Sequence, residues 1–372
     1  MPDHTDNPSE HPNRREFLKT SAAAIGSTGL ALSLPFTPAT ASADTEPLPG
    51  TQPLEREADF SLEVVDRVDA YFLRQLEASI EERPGHWNRD HSSPPAYTAS
   101  VEENRDRFRR IIGAIDERVP FEEPELIASL SQAALAAETD RFSVYAVRWP
   151  VFEEVYGEGL LMEPRDGPTA QAVVLPDADQ SPEALAGLAA NPHGSALARQ
   201  LAAAGIRVLV PTIVDREITW SGNELVRMTN QTHREWIYRQ SYYMGRHIIG
   251  YEVQKVLAAL DWFEQQDGST STGVAGYGEG GLLALYAAAV DERVDTTLVS
   301  GYFREREQVW KEPIYRNVWG LLREFGDAEI ASLIAPRRLI IEACKGPVIE
   351  GRPEPRNGNM DAAHGSIESP PL

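Results

Sequence analysis

The sequence predicts a protein of the α/β class, with a mostly parallel sheet flanked by helices and a helical addition on its N-terminal side. Three observations support this prediction. After residue 140, short apolar runs bounded by turn residues alternate with helical patterns. Before residue 140, amphipathic helical patterns dominate. The chain has 372 residues, 42% of them hydrophobic, and this suffices for one large core.

The charge balance excludes several classes of partner. The chain has 57 acidic and 35 basic residues, and its formal net charge is -22 at pH 7. Nucleic acids and anionic membrane surfaces are repelled by such a charge, so neither is expected as a partner. The single cysteine, Cys344, excludes an internal disulfide and a cysteine-rich metal site. No histidine pair has metal-site spacing, and we expect neither a metal nor a cofactor.

The first 43 residues have the layout of an export signal. Residues 13–19 read NRREFLK and resemble the twin-arginine motif. A weakly apolar run over 21–36 and a small-residue site at 41–43 follow, and the run is too short and too rich in Ala, Gly and Ser to span a membrane. The alternative is a disordered tail with a chance arginine pair. The sequence predicts a cleaved signal over 1–43, contact with the twin-arginine translocase, and a periplasmic or secreted mature protein.

The region between the signal and the sheet divides into a linker and a helical part. Residues 44–57 are polar and rich in proline, which is typical of a linker. Residues 58–140 form the predicted N-terminal helical region. Apolar residues at three- and four-residue steps predict three helices there, over 59–82, 101–115 and 123–137.

Residues 141–345 form the predicted core. An antiparallel pair is expected over 142–149 and 159–162. Buried parallel strands are expected over 172–175, 206–210, 273–275, 296–299 and 339–341. Helices are expected over 182–204, 245–266 and 281–289. The tail, residues 346–372, is rich in Pro, Gly and Asn and is expected to be irregular.

A glycine cluster follows the strand expected over 273–275. Gly276, Gly278 and Gly280 alternate with Tyr277 and Glu279, and an Ala- and Leu-rich helix follows. The pattern G-x-S-x-G makes the sharp strand-to-helix turn called the nucleophile elbow, in which the central serine attacks the substrate. In this chain the central position is Gly278, which has no nucleophile.

Four segments in chain order resemble bacterial acetyl xylan esterase-like and dienelactone hydrolase-like proteins of the α/β-hydrolase superfamily. They are GIRVLVP at 205–211, the helix with GRHIIG at 245–250 and LAALDW at 257–262, the elbow itself, and IAPRRLII at 334–341. The resemblance covers roughly residues 140–345. It implies an α/β-hydrolase-like fold and hydrolysis of a small-molecule or carbohydrate ester, such as an acetylated polysaccharide.

The resemblance also implies a Ser-His-acid triad, which this chain does not preserve. Gly278 stands at the nucleophile position, Glu342 is the only carboxylate close to the expected acid position, and His364 is the only histidine downstream. Either a C-terminal strand and histidine lie outside this sequence or the sheet is shortened. The leading hypothesis is a family member whose triad-based activity is impaired or lost. It retains ligand or carbohydrate binding in the old cleft.

Two alternatives assign other functions to the elbow. Glu279 could act as a nucleophile or base in an active ester hydrolase, although an acidic residue at this point also suits a helix start. The spacing Gly276-x-Gly278-x-x-Gly281 also satisfies the dinucleotide-binding pattern between a strand and a helix. No acidic residue ends the next strand, as that pattern requires.

Other polar and aromatic residues are candidates for ligand contacts. Asp177 and Asp179 follow a buried strand and either contact substrate or cap the helix expected at residue 182, and Tyr277 lies within the elbow. Residues 232–236 and the tyrosines that follow could line a sugar-binding cleft or pack in the core. These tyrosines are Tyr238, Tyr242 and Tyr243.

Overall fold

The computed structural model describes residues 49–52, 59–129, 133–189, 196–223, 225, 227–267 and 270–370. The predicted export signal and most of the predicted linker lie outside these described residues. By its internal contacts the chain divides into residues 1–60 and residues 61–372. Of the first unit, only residues 49–52, 59 and 60 are described. The sheet and the candidate site belong to the second unit.

Nine strands in the described residues form one mixed sheet. They are β1 (Glu125–Leu126), β2 (Leu135–Glu138), β3 (Phe142–Phe152), β4 (Val155–Pro164), β5 (Ala170–Leu175), β6 (Ile206–Pro211), β7 (Thr272–Tyr277), β8 (Thr296–Ser300) and β9 (Arg338–Glu342). The strand order is β1-β3-β4-β6-β5-β7-β8-β9, and β2 pairs with β3. Strands β5 to β9 are parallel to one another, whereas β1 to β4 pair antiparallel. The predicted antiparallel pair and the five predicted parallel strands are confirmed.

Helices cover both faces of the sheet. The described α-helices are α1 (Phe60–Glu82), α2 (Pro94–Ser100), α3 (Glu102–Ile111), α4 (Pro182–Ala186), α5 (Leu197–Ala203), α6 (His233–Tyr242), α7 (Ile248–Asp267), α8 (Glu279–Val290) and α9 (Asp327–Ile334). The helix expected over 182–204 is instead two helices. Helix α4 ends at Ala186, because its C-cap residue, Gly187, has a left-handed backbone (φ +71°).

The predicted helix over 123–137 is wrong. Its described residues contain the short strands β1 and β2, both of which pair with the edge of β3. Leu126 and Leu135 are exposed there, so no buried apolar stripe stabilises a helix. Pairing with the exposed backbone of β3 outweighs the weak helical pattern.

The core has one large cluster and one smaller cluster. The large cluster joins alternate strand residues such as Val173, Val274 and Val299 to helices α3, α7, α8 and α9. The smaller cluster joins the intervening residues, such as Val174 and Ala275, to α4 and α5. Because side chains alternate across a strand, both sheet faces are buried and the carboxyl ends of the parallel strands remain open to loops.

Two further features of the described chain bear on function. No described helix has both the length and the apolar character needed to cross a bilayer. After Glu342 the described tail contains only isolated bridges, such as the one between Ile349 and Ile367.

Candidate functional site

The predicted elbow has the expected backbone geometry. Strand β7 ends at Tyr277, helix α8 begins at Glu279, and Gly278 between them has φ +58° and ψ -117°. Residues with side chains rarely adopt such a φ. The neighbouring Gly276 allows the close approach of strand and helix, because a Cβ there would collide with the backbone of Gly280. The elbow is therefore present in structure as well as in sequence.

The space that a nucleophile would need at this elbow is filled. A Cβ on Gly278 would overlap Oδ1 of Asp177 and would lie 2.9 Å from both Cδ and Cγ of Pro347. Asp177 is only 2% exposed, so its carboxylate has little room to withdraw. A serine at position 278 requires displacement of a buried carboxylate.

Asp177 also binds the backbone donor that an esterase would use for its oxyanion. In the α/β-hydrolase elbow, the N–H of the residue after the nucleophile donates to the developing oxyanion. Here the N–H of Glu279 donates to Oδ1 of Asp177, at 2.8 Å. A carboxylate of the chain itself therefore occupies the oxyanion position.

The side chain of Glu279 is fully buried and is held by three arginines. Its Oε2 accepts from Arg316 at 2.8 Å and from Arg216 at 3.1 Å, and its Oε1 accepts from Arg234 at 3.4 Å. Burial alone would raise the pKa of Glu279, but the arginine charges hold that pKa well below its usual range. A carboxylate so engaged is a poor nucleophile and a poor base, and this geometry disfavours the carboxylate mechanism.

The three arginines belong to a larger buried ion network, which we call the elbow cluster. Its members are Asp177, Arg216, Arg234, Glu252, Glu279, Arg306, Glu312 and Arg316. Every side chain in it is at most 8% exposed. Four arginines face four carboxylates, so the charges within the cluster balance.

The arginines of the elbow cluster each have further partners. Arg216 donates to Oδ2 of Asp177 at 2.6 Å and to the hydroxyl of Tyr315 at 2.9 Å. Arg234 pairs with Glu252 at 2.9 Å. Arg306 and Arg316 share Glu312, with donor distances of 2.9–3.0 Å. The cluster thus joins the segments that follow β5, β6 and β8 to α6, α7 and α8.

Asp177 and Asp179 do not cap the helix at residue 182, so that interpretation is wrong. Ser181 is the N-cap residue of α4. Asp177 binds Arg216 and the N–H groups of Asp179 and Glu279, and Asp179 binds Arg216 at 2.9 Å from the rim of the cluster. The attraction of Arg216 outweighs the local capping geometry. Burial raises the pKa of Asp179, although Arg216 opposes this shift.

The other candidate residues are not brought to the elbow backbone. Glu342, at the end of β9, accepts a 2.5 Å hydrogen bond from Ser300, whose hydroxyl is also 3.2 Å from Sγ of Cys344. Tyr277 donates to the carbonyl of Lys345 at 3.0 Å. His364 is exposed, and within the described residues no hydrogen bond joins it to Glu342. The described residues therefore contain no assembled triad.

A cavity of about 470 Å³ lies beside the elbow at the carboxyl ends of β5, β7, β8 and β9. Tyr277, Ser300 and Glu342 supply its polar lining, and Leu185 and Leu298 are among its apolar walls. The cavity borders the elbow but lacks the oxyanion donor, which faces Asp177. Among the described residues no group of three or more His, Cys, Asp or Glu side chains could hold a metal ion.

The dinucleotide alternative does not suit this geometry. A pyrophosphate would have to approach the N-terminus of α8, where Asp177 already accepts from the N–H of Glu279. The carboxylate of Asp177 would face the phosphates there. At Gly281 a Cβ would come within 2.8 Å of the carbonyl of Ser300, so this glycine serves the packing of α8 on β8.

An open groove with aromatic walls lies at the carboxyl end of β6, and we call it the aromatic groove. Its volume is about 530 Å³. Its lining residues are Tyr156, Glu158, Thr212, Ile213, Val214, Asp215, Trp220, His233, Trp236, Ile237 and Lys255. Trp220 is 78% exposed and Tyr156 is 45% exposed.

The aromatic groove includes only part of the predicted sugar-binding cleft. His233 and Trp236 line it, as that alternative expects. Tyr238 packs in the core instead, with its ring centroid 5.2 Å from that of His247, and Tyr242 and Tyr243 are exposed outside the groove. The structure therefore packs Tyr238 in the core and brings His233 and Trp236 to an open groove.

A hydrogen-bonded pair organises the wall of the aromatic groove. The N–H of Trp220 donates to Nε2 of His233 at 2.8 Å, so Nδ1 carries the proton that is shared with Asp215 at 2.6 Å. Both ring nitrogens are engaged, and His233 therefore positions the tryptophan loop rather than serving as a free base. Arg356 also binds this loop, at the carbonyls of Ile218 and Thr219.

Comparison with known proteins identifies the fold. A protein of Bacteroides fragilis assigned provisionally as an acetyl xylan esterase superposes with a TM-score of 0.55, at 12% sequence identity over 73% of both chains. The chain has the α/β-hydrolase fold. A glucuronoyl esterase from Solibacter usitatus (TM-score 0.43, 14% identity, 70% of this chain and 78% of that chain) is also similar. So is acetyl xylan esterase 1 from Thermoanaerobacterium sp. (TM-score 0.39, 15% identity, 70% and 81%). No protein-family profile and no curated protein matches this sequence.

Proposed function

We propose that this is an exported, non-catalytic α/β-hydrolase-fold protein that binds saccharide in the aromatic groove. The observation that carries the proposal is the hydrogen bond from the N–H of Glu279 to the carboxylate of Asp177. The carboxylate of Asp177 thus lies where an esterase binds the negatively charged oxygen that forms during the reaction. A transition state with a developing oxyanion would be repelled there.

Three requirements of ester hydrolysis are unmet at the elbow. The nucleophile position is glycine, the oxyanion donor is occupied, and the two nearby carboxylates, Asp177 and Glu279, are both paired with arginines. The elbow cluster is also balanced in charge, and each of its charged side chains has a partner of opposite charge within the cluster, although Nε of Arg234 has no hydrogen-bond partner. We therefore assign the cluster a structural role, in place of the active site that the fold usually carries at this position.

The aromatic groove offers what a neutral saccharide needs. Exposed rings of Trp220 and Tyr156 supply flat apolar surfaces for the C–H faces of sugar rings. Glu158 and Asp215 provide carboxylate acceptors for hydroxyl groups beside them, whereas the buried Lys255 donates to the carbonyl of Thr212 at 2.7 Å. The net charge of -22 disfavours polyanionic glycans, so a neutral chain such as a xylan fits best.

The groove is held in place before any ligand arrives. The backbone N–H of Trp220 is anchored to His233, which belongs to α6, and Arg234 of the same helix is anchored in the elbow cluster. Arg216 of the same cluster follows Asp215 directly. Preorganisation of this kind reduces the entropy lost on binding. The former catalytic centre thus supports the binding groove.

Titration with xylo-oligosaccharides and with acetylated xylan, followed by calorimetry and tryptophan fluorescence, tests the binding role. Trp220→Ala is expected to weaken binding by about fivefold or more, since an aromatic anchor at a binding site commonly contributes over 1 kcal/mol. Trp319→Ala is the matched control, because Trp319 is also 78% exposed and lies outside the groove. Absence of binding, or equal losses in both variants, would overturn the role of the groove.

Export is proposed from the NRREFLK segment alone, and it has its own test. Replacing Arg14 and Arg15 by lysine keeps the charge but removes the paired arginines that the export machinery reads. The double variant is expected to remain in the cytoplasm of a host with a twin-arginine system, while the unaltered chain is processed and exported. Equal export of both proteins would contradict the proposal.

A further inference from the structure

The tryptophan loop, residues 218–222, is tied to the rest of the protein by few contacts. Arg356 donates to its first two carbonyls, and the carbonyl of Ser221 near its end accepts from a backbone N–H. Between these points Trp220 is 78% exposed, so little packing fixes its ring. Within the described part of the chain its one hydrogen bond is the one from its N–H to Nε2 of His233, at 2.8 Å. The position of Trp220 therefore depends on this acceptor.

The acceptor is available only while the imidazole of His233 is neutral. Its other ring nitrogen, Nδ1, lies 2.6 Å from Oδ1 of Asp215, which also accepts from the N–H of Glu217 at 2.9 Å. Nδ1 carries a proton in both protonation states, so the contact with Asp215 persists, whereas Nε2 accepts only in the neutral ring. A proton on Nε2 would place two donors 2.8 Å apart with no acceptor between them. Protonation therefore breaks the hydrogen bond from Trp220.

Other charged and titratable groups adjoin His233 in the chain, share the aromatic groove with it or bind the tryptophan loop. They are Tyr156 and Glu158 of β4, Asp215, Arg216 and Glu217 after β6, Arg234 and Glu235 of α6, Lys255 of α7, and Arg356 of the tail. Arg216 and Arg234 pair within the elbow cluster, and Lys255 donates to a backbone carbonyl. Among the described side chains only Asp215 bonds the imidazole. Its carboxylate favours the protonated ring.

We propose that His233 makes the aromatic groove sensitive to acid. When the imidazole takes up a proton from solvent at Nε2, the N–H of Trp220 loses its acceptor and the exposed tryptophan leaves its place in the groove wall. Saccharide is then bound near pH 7.5 and released at mildly acidic pH, within the range in which histidine side chains change charge. The release of saccharide rests on the proposed function, whereas the movement of the loop is a property of the ligand-free protein.

Hydrogen–deuterium exchange of the Trp220 N–H tests the loop in the ligand-free protein. It is measured between about pH 7.5 and pH 5.5, within the histidine range, and corrected for the intrinsic effect of pH on amide exchange. Protection of this N–H should fall at the lower pH. His233→Gln should abolish that response, because an amide oxygen accepts but does not titrate. His91→Gln, at an exposed histidine outside the groove, is the control and should keep it. Constant protection in the unaltered protein, or an equal fall in His233→Gln, would overturn the proposal.

A second variant keeps the histidine and serves also if His233→Gln does not fold, as judged by circular dichroism. Asp215→Asn retains an oxygen acceptor for Nδ1 but removes the charge that favours the protonated ring. The fall in protection of the Trp220 N–H should therefore move to lower pH. A response at an unchanged pH would contradict the role of the pair between His233 and Asp215.

Calorimetric titration with xylohexaose at the two ends of this pH range connects the loop to binding. The Kd of the unaltered protein should rise about fivefold or more at the lower pH, which is the loss expected for Trp220→Ala, since the same ring leaves the groove. In Trp220→Ala and in His233→Gln the ratio of the two Kd values should be close to one. An equal Kd at both pH values in the unaltered protein would overturn the release of saccharide by acid. Absence of binding at both pH values would contradict the proposed function, and the exchange experiment would still decide whether His233 controls the loop.

Discussion

Replacement of Glu279 by glutamine tests the structural role of the elbow cluster. The side chain is 0% exposed and pairs with three arginines, and glutamine keeps its shape while removing its charge. Breaking a buried ion pair by removal of one partner costs about 3–5 kcal/mol, because the other charge is left uncompensated. Unfolding free energies are typically about 5–15 kcal/mol, so a large fraction of the stability is at stake.

Urea unfolding at pH 7 measures this loss, with the seven tryptophans as fluorescence probes. With a slope of about 3 kcal/mol per M, the midpoint should fall by about 1 M or more. Glu125→Gln is the control, since it removes a carboxylate from the exposed pair with Arg148. Exposed pairs contribute only about 0–1 kcal/mol. Equal midpoints for the two variants would refute the structural role of Glu279.

The effect of Glu279→Gln should also depend on pH. The folded pKa of Glu279 lies well below its ordinary value of 4.5, so the charge stabilises the fold fully above that value. As pH falls below 4.5, the unfolded chain takes up the proton first and this stabilisation is lost. The difference between the unaltered protein and the variant should therefore shrink between pH 5 and pH 3. A constant difference would contradict the ionised, arginine-bound state.

Three further predictions follow from the same contacts. Gly278→Ser should gain no esterase activity and should lose about 1–3 kcal/mol of stability in urea unfolding, since its Cβ overlaps Asp177 and packs against Pro347; turnover of p-nitrophenyl acetate by this variant would be the contrary result. Burial raises the pKa of Asp327 to about 6, so the free energy of unfolding falls as pH rises from about 4 to 6. The variant Asp327→Asn has no carboxyl group to titrate. Its free energy of unfolding should therefore gain up to about 3 kcal/mol relative to the unaltered protein over that interval. Burial lowers the pKa of His247 to about 4, so the free energy of unfolding falls by about 3 kcal/mol as pH drops from 6.5 to 4. His247→Gln should abolish that loss. For either residue, parallel curves of unfolding free energy against pH for the variant and the unaltered protein would contradict the assignment.

The sheet could be predicted from the sequence because its signals are local. Continuous apolar runs mark the buried parallel strands, and the glycines at 276, 278 and 280 mark the elbow. Helix 123–137 could not be rejected from periodicity alone. Its residues pair with β3, and the availability of that edge is a property of the folded sheet.

The elbow cluster was not predictable, because its members come from six separate segments. Three arginines of the cluster lie in sequence segments where an arginine is expected to be exposed on the surface. The structure buries all three, which are Arg216, Arg234 and Arg316. One signal was available in principle. Asp177 and Glu279 follow parallel strands β5 and β7, which meet at one sheet edge, so two buried carboxylates there require cations from elsewhere.

The contacts of Asp177 explain how the elbow of this chain differs from a catalytic elbow. Catalysis at an elbow depends on a small strained turn that exposes a nucleophile beside free N–H groups. Here the turn persists, but Asp177 fills the space and binds the N–H of Glu279. The same cluster holds Arg216, which lies in the segment before Trp220, and Arg234, which lies in the helix that carries His233. In the proposed account, this edge of the sheet provides stability and a binding surface and does not hydrolyse esters.

The central claim is that the elbow does not hydrolyse esters. Its most direct test is the initial rate of hydrolysis of p-nitrophenyl acetate and of acetylated xylan by the purified, unaltered protein, measured over a range of substrate concentrations. The predicted result is a rate equal to that of buffer, with no saturation. Saturable turnover that disappears in Glu279→Gln, in a variant shown by circular dichroism to be folded, would contradict the claim.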